Sequence, residues 1–224
     1  MSDILTFECK DNIGVITMDD GKANAAGFAM LDAINTALDQ AEAEASAVIL
    51  MGRPGILSGG FDLNVIRGGD QAEIKRMVNL GVRTLMRLYN HPQPVVAAAT
   101  GHAVALGAFI LLASDYRIGT QGDFSVGLNE TAIGLNLPTF AIRLAEGRLS
   151  PRHLTQAAIL ARLYSPSDAT DVGFLDEVVS PGGLLSAAQE KAGELAELDS
   201  AAYAHNKRAF RGDVVEAVLA ELSD

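Results

Sequence analysis

At 224 residues the chain has room for one substantial domain, and 49% hydrophobic with 20% charged residues is the balance of an ordinary globular protein. A formal net charge of −11 excludes a general nucleic-acid binder, which needs clustered Lys and Arg, but not an anionic small molecule held by a few local cations. The longest apolar run, 103–113, is too short to span a bilayer, nothing like a signal peptide opens the chain at Met1–Asp3, and the single Cys9 has no internal disulfide partner, so a cytoplasmic protein is expected.

In chain order, 13–18 is a β-rich run ending in the turn signal Asp19-Asp20-Gly21, and Cys9 before it is expected as a half-buried strand thiol. Met30, Leu31, Ile34 and Leu38 recur at helical spacing within 28–44, and a continuous apolar run at 47–51 reads as a strand covered on both faces. A glycine-dense loop over 52–63 follows, then an amphipathic helix over 71–89 that stops before His91-Pro92. A buried strand at 95–99 ends where Gly101 breaks the chain, and a small-residue helix begins near Leu106. Short strands are expected at 116–118 and 123–126, helices beyond Pro138 with a cap at Ser165, a last strand at 176–179, and two helices in 184–224. Strands alternating with helices define an α/β fold, divided here into a core of 1–183 and a C-terminal helical segment of 184–224.

Two glycine-rich turns follow apolar strands, at Ser58-Gly59-Gly60-Phe61 and at 101–107. On residues alone they are either plain strand-to-helix connections or sites where exposed backbone N–H groups, one set at a helix N-terminus, could stabilise an oxyanion. Glu130 is equally open: Asn129 could cap a helical turn with a solvated Glu130 behind it, or Leu128, Ile133 and Leu135 could desolvate the carboxyl and suit it to proton transfer. The capping reading is the plainer of the two. Nucleotide-loop and dinucleotide fingerprints are missing, Ser58 lacks the flanking glycine of a nucleophile elbow, and the 4 histidines show no metal-ligand spacing. His102 is expected to pack or hydrogen-bond rather than to catalyse.

Taken together, these segments resemble the enoyl-CoA hydratase/isomerase (crotonase) family over nearly all of 13–179. Leu57-Ser58-Gly59-Gly60-Phe61-Asp62-Leu63 looks like its Phe-Ser-Ala-Gly-Ala-Asp-Leu loop, and 95–103 is similar to the strand and turn before its second oxyanion donor. Lys22-Ala23-Asn24-Ala25 resembles the turn beside the pantetheine arm; 115–118 and 169–179 match further landmarks. The resemblance implies a spiral of repeated ββα units, oxyanion donors at the N–H groups of Phe61 and Leu106, and Glu130 as the acid–base residue. It places Lys22, Ala23, Ser58, Gly59, Gly60, Asp62, Leu63, Gly107, Phe109 and Asn129 around an acyl-CoA thioester. No separate cofactor or metal is implied, since CoA is part of the substrate.

The departures from the family pattern carry the finer expectation. Hydratases of the family, which are lyases, hold water with two glutamates; Phe109 stands at the first place and Glu130 at the second. An apolar residue there, with Gly127-Leu128-Asn129-Glu130-Thr131 around the second, looks like the 3,2-enoyl-CoA isomerases. Hydration by Glu130 alone, or a non-catalytic acyl-CoA binder, are the alternatives. Leu106 replaces a glycine, so a turn requiring positive φ there would be strained by its Cβ. The resemblance also implies a homotrimer or a dimer of trimers, built in part by a tail that is short here.

Overall fold

The computed structural model describes residues 4–222. It opens on a hairpin in which β1 (Leu5–Lys10) pairs antiparallel with β2 (Ile13–Met18), and the two-residue turn Asp11-Asn12 takes positive φ at both positions, 51° and 61°. Helix α1 (Phe28–Glu44) crosses to β3 (Ala47–Gly52), parallel to β2. Three ββα units follow. Strand β3 leads into β4 (Gly55–Ser58), then the short α2 (Leu63–Gly68) and α3 (Gln71–Tyr89). Strand β5 (Val95–Ala99) leads into β6 (Gly101–Val104) and α4 (Leu106–Ala113); β7 (Tyr116–Thr120) leads into β8 (Val126–Gly127) and α5 (Thr139–Arg148). A π-helical turn (Thr155–Ile159), α6 (Pro166–Val172), β9 (Glu177–Val179), α7 (Leu184–Ala196) and α8 (Ser200–Ala220) complete the chain.

The leading strands of these units, with β1, β2 and β9, build a six-stranded sheet ordered β1-β2-β3-β5-β7-β9, while the second strands build a separate parallel sheet, β4-β6-β8. This is the expected α/β spiral with its C-terminal helical segment.

The apolar runs of β3 and β5 make sense in this arrangement. Val48, Leu50, Val95 and Ala97 face the main core beneath α1, α3 and α4. Ala47, Ile49, Val96 and Ala98, one residue out of step, face Leu184, Ala188 and Ala192 of α7. Helix α8 is fastened by charge: Lys207 Nζ and Arg211 Nη1 donate to the Asp115 carboxylate at 2.6 and 2.8 Å. Ser165 caps α6 as expected, its hydroxyl accepting from the Asp168 amide at 3.1 Å.

Several sequence expectations require correction. The stretch 52–63 is not all loop, because it contains β4 and the first residue of α2. Gly101 does not break the chain; it begins β6 paired with Gly55, whose backbone approaches so closely that a Cβ at 101 would run into it. The strand expected at 123–126 is only Val126–Gly127. Cys9 is exposed: it follows Leu5 and Phe7 on the inward face, but α1 ends there and leaves the thiol bonded to the Glu44 carbonyl at 3.3 Å. The expectations for Met1–Asp3 and for the last two residues, 223–224, lie outside the described residues. Among those described, no helix is long and apolar enough to cross a membrane.

Candidate functional site

The small sheet assembles the site. Ser58 of β4, Ala103 of β6 and Val126 of β8 are register partners, and the three strands run parallel. Their C-terminal ends therefore lie side by side, which is where α/β sheets open a crevice for ligands. From that edge the chain leaves as Gly59-Gly60-Phe61, as Ala105-Leu106 and as Leu128-Asn129-Glu130.

Hydrogen bonds to the loop after β2 hold the first exit. The Gly59 amide donates to the Ala23 carbonyl at 2.9 Å, and Ala26 donates to the Gly60 carbonyl at 2.9 Å. Asp62 N returns to the Ala26 carbonyl at 3.4 Å, closing a parallel bridge between Ala26 and Phe61. In such a bridge the residue opposite contributes neither of its own polar groups, so the Phe61 N–H points away from Ala26. On the neighbouring side, a Cβ at Gly60 (φ +118°) would lie 3.4 Å from the Ala105 Cβ, so the two turns abut.

The second exit starts α4. Ala105 donates to the Gly127 carbonyl at 3.1 Å and accepts from Phe109 N at 3.1 Å. It carries φ 52° and ψ −119°, a conformation costing an alanine on the order of 1–3 kcal/mol. The strain expected at Leu106 thus falls on Ala105. Leu106 is the first residue of α4, so its N–H is one of the helix's intrinsically unpaired donors at the positive end of the dipole. Gly107 is required by close approach, since a Cβ would run into the Ser58 carbonyl oxygen.

Glu130 leaves the third exit. Its side chain is buried, at 8% exposure, and Oε2 has no hydrogen-bond partner. Desolvation pushes its carboxyl above the usual range, with the backbone amides of Glu130 and Asn129 pulling partly back. The side-chain cap expected from Asn129 does not form: backbone carbonyls of Asn129 and Glu130 accept from Ile133 N at 3.2 and 3.1 Å, and Asn129 Oδ1 is buried and unpartnered. Phe109, only 3% exposed, sits in the core against Phe140 of α5 with ring centroids 5.1 Å apart. His102 plays the expected structural part, accepting from Ser125 N at 3.0 Å and meeting the Phe124 ring edge-on.

A cavity of about 590 Å³ opens in front of the first exit and is lined by Lys22, Ala23, Gly59, Gly60, Phe61, Asp62 and Leu63. Asp62 also caps α2, its carboxylate accepting from Asn64 N at 2.8 Å. A second, mainly apolar cavity of about 580 Å³ starts at Thr131, beside Glu130, and runs between Leu135, Leu137, Ile142 and Leu154. Ser58, Leu106, Gly107, Phe109, Asn129 and Glu130 line neither. The Ser58 hydroxyl is engaged within the loop, donating to the Asn24 carbonyl at 2.8 Å and accepting from Gly60 N at 3.3 Å.

Two contributors were missed among the expected site residues. Asn24, 1% exposed, latches the two loops: Nδ2 donates to the Met18 and Leu57 carbonyls at 3.0 and 3.1 Å, and Oδ1 accepts from Asp20 N at 3.0 Å. Arg53 donates from Nε to the Lys22 carbonyl at 2.8 Å, placing a second cation beside Lys22. The only sequence signal for either is the Asp-Asp-Gly turn and the polar Asn that follows it. Among the described residues, no cluster of three or more His, Cys, Asp or Glu could hold a metal.

Residues 8–223 match the enoyl-CoA hydratase/isomerase family, and the chain belongs to it. It is 28% identical over 171 residues to human mitochondrial enoyl-CoA delta isomerase 1, covering 75% of this chain and 57% of that protein. With the mouse and rat counterparts included, the chain spans 57 to 61% of the length of these mitochondrial isomerases. Among solved structures, an apo enoyl-CoA isomerase of Mycobacterium tuberculosis is 38% identical with a TM-score of 0.92, covering 98% of this chain and 96% of that one. An enoyl-CoA hydratase of Mycobacterium marinum gives the same identity, TM-score and coverage. The relatives thus include both isomerases and hydratases.

Proposed function

We propose that this protein moves the double bond of a 3-enoyl-CoA into conjugation, giving the 2-enoyl-CoA, with Glu130 as the only proton carrier. The observation that supports the reading is the register of β4, β6 and β8, parallel strands that lead at one sheet edge into the segments carrying Phe61, Leu106 and Glu130. The thioester carbonyl binds between the two N–H groups. Glu130 removes a proton from C2, the C2–H electron pair passes toward the carbonyl, and the resulting dienolate places negative charge on an oxygen facing preorganised donors. Removing one such donor typically lowers kcat about 10²–10³-fold. The same carboxyl returns its proton to C4, the C2–C3 double bond forms, and atoms and electrons balance with no other reactant.

Phe109 supports this assignment. It brings no acid or base to the position where the resemblance puts the hydratases' first glutamate, and it is buried against Phe140. Lys22 lines the first cavity and Arg53 is bonded to the Lys22 carbonyl, two cations available to CoA phosphates within an otherwise acidic protein. The second cavity, apolar and starting one residue past Glu130, suits the acyl tail. A trimer, or two trimers together, would cover the exposed Ile133 and Leu160, which do not line that cavity.

A second reading, hydration of a 2-enoyl-CoA by Glu130 alone, is favoured by the 38% identity to a hydratase. Supplying 3-enoyl-CoA and 2-enoyl-CoA to the same preparation separates the two. Conversion of the former with little 3-hydroxyacyl-CoA from the latter is expected; the reverse ranking assigns the protein to hydration, and neither reaction leaves a binder.

A further inference from the structure

Gly81 lies in the middle of α3, a helix of 19 residues, and is buried. Its φ is not positive, so the backbone gives no reason for glycine there, and glycine is among the poorest helix formers. The reason is a ring. A Cβ at position 81 would stand 2.5 and 2.7 Å from Cε1 and Cζ of Phe61, and 3.6 Å from Cδ1 of Leu106. The tip of the Phe61 side chain therefore occupies the place an alanine methyl would take, beside the Leu106 side chain. These are the two residues whose amides act on the thioester in the function proposed above, on which this inference rests.

We propose that Gly81 is a positioning residue: its missing side chain is the notch that seats the Phe61 ring and thereby sets where the Phe61 amide points relative to that of Leu106. The loop offers little alternative give. Gly59, Gly60 and Asp62 are each tied to the loop after β2 by backbone hydrogen bonds, and the start of α4 is pressed against the Ser58 carbonyl. A ring expelled from the notch must rotate the Phe61 peptide or swing into the cavity that Phe61 lines. Either movement acts on the bound ester, and rotation of the amide acts mainly on the transition state.

The experiment compares wild type, Gly81→Ala, Phe61→Ala and the double variant, in steady-state kinetics with a 3-enoyl-CoA and in calorimetric binding of a non-reacting saturated acyl-CoA. With Phe61 present, Gly81→Ala lowers kcat at least tenfold with a smaller change in KM. With Ala at position 61 there is no ring to expel, and the same Gly81→Ala change alters kcat less than twofold. A merely structural glycine would impose the same loss in both backgrounds, and that result, or no loss with Phe61 present, overturns the proposal. Because the double variant has no clash, it tests the idea even if Gly81→Ala alone folds poorly. If wild type proves inert toward enoyl-CoA esters, the isomerase assignment falls separately. The Gly81 proposal then stands or falls on whether Gly81→Ala weakens acyl-CoA binding tenfold only when Phe61 is present.

Discussion

Replacing Asn24 with alanine should unlatch the substrate-binding loops from each other. The side chain donates to the Met18 and Leu57 carbonyls and accepts from Asp20 N, all within a site that is 1% exposed. Losing three neutral hydrogen bonds at about 1 kcal/mol each removes about 3 kcal/mol, before any penalty for leaving buried groups unsatisfied. Asn24 also holds φ at 48°, a region asparagine tolerates and alanine resists by roughly 1 kcal/mol. The expected destabilisation is about 4 kcal/mol, or roughly 10 °C in melting temperature for a chain of this size. Denaturant unfolding followed by circular dichroism measures it, and Asn24→Asp, which sets a carboxylate oxygen against the Met18 and Leu57 carbonyls in a buried site, should cost at least as much. KM for the CoA ester should rise in both variants, because Ala23 and Gly59 line the same cavity. A loss below 1 kcal/mol with KM unchanged would refute the latch.

Asp115→Ala leaves Lys207 and Arg211 facing a buried void, and should destabilise by about 3–5 kcal/mol with α8 the first segment to lose amide-exchange protection. His91 is held neutral, its pKa lowered to about 4 chiefly by burial, with the Lys207 charge adding to it. The unfolded chain takes up that proton first as pH falls, so stability should decline from about pH 6.5 to about 4, by roughly 3 kcal/mol in total, and His91→Gln should flatten that part of the profile. Burial raises the Glu130 carboxyl, and the base acts only when ionised. The acid limb of kcat/KM should therefore have its midpoint above the ~4.3 of an ordinary glutamate; a limb at or below that value would contradict the desolvated site.

Long-period features were legible in the chain. The helices over 28–44 and 71–89 coincide with α1 and α3 because their apolar stripes are regular, and Ala47–Gly52 and Val95–Ala99 are strands because nothing polar interrupts them. The small sheet was not legible. Strands β4 and β6 are four residues each and glycine-bearing, too short to show a pattern, and they are defined by their pairing, β4 with β6 and β6 with β8. That pairing places the site, so its residue types could be named from their motifs while their geometry could not. Asp115 and Arg117 show the reverse case. They stood out only as landmarks, and the structure gives each an anchoring role: Asp115 holds α8, while Arg117 binds Asp176 through Nε and Nη2 at 2.8 and 2.5 Å. The strain at Ala105 was misplaced by one residue, because a sequence gives the turn but not which of its residues takes the unusual φ.

The central claim is that one carboxyl carries the proton from C2 to C4. Glu130→Gln keeps the shape of the side chain and removes the base, so turnover of a 3-enoyl-CoA should fall about 10²–10⁴-fold while calorimetric binding of a saturated acyl-CoA changes little. Double-bond migration persisting near the wild-type rate in Glu130→Gln would contradict the account.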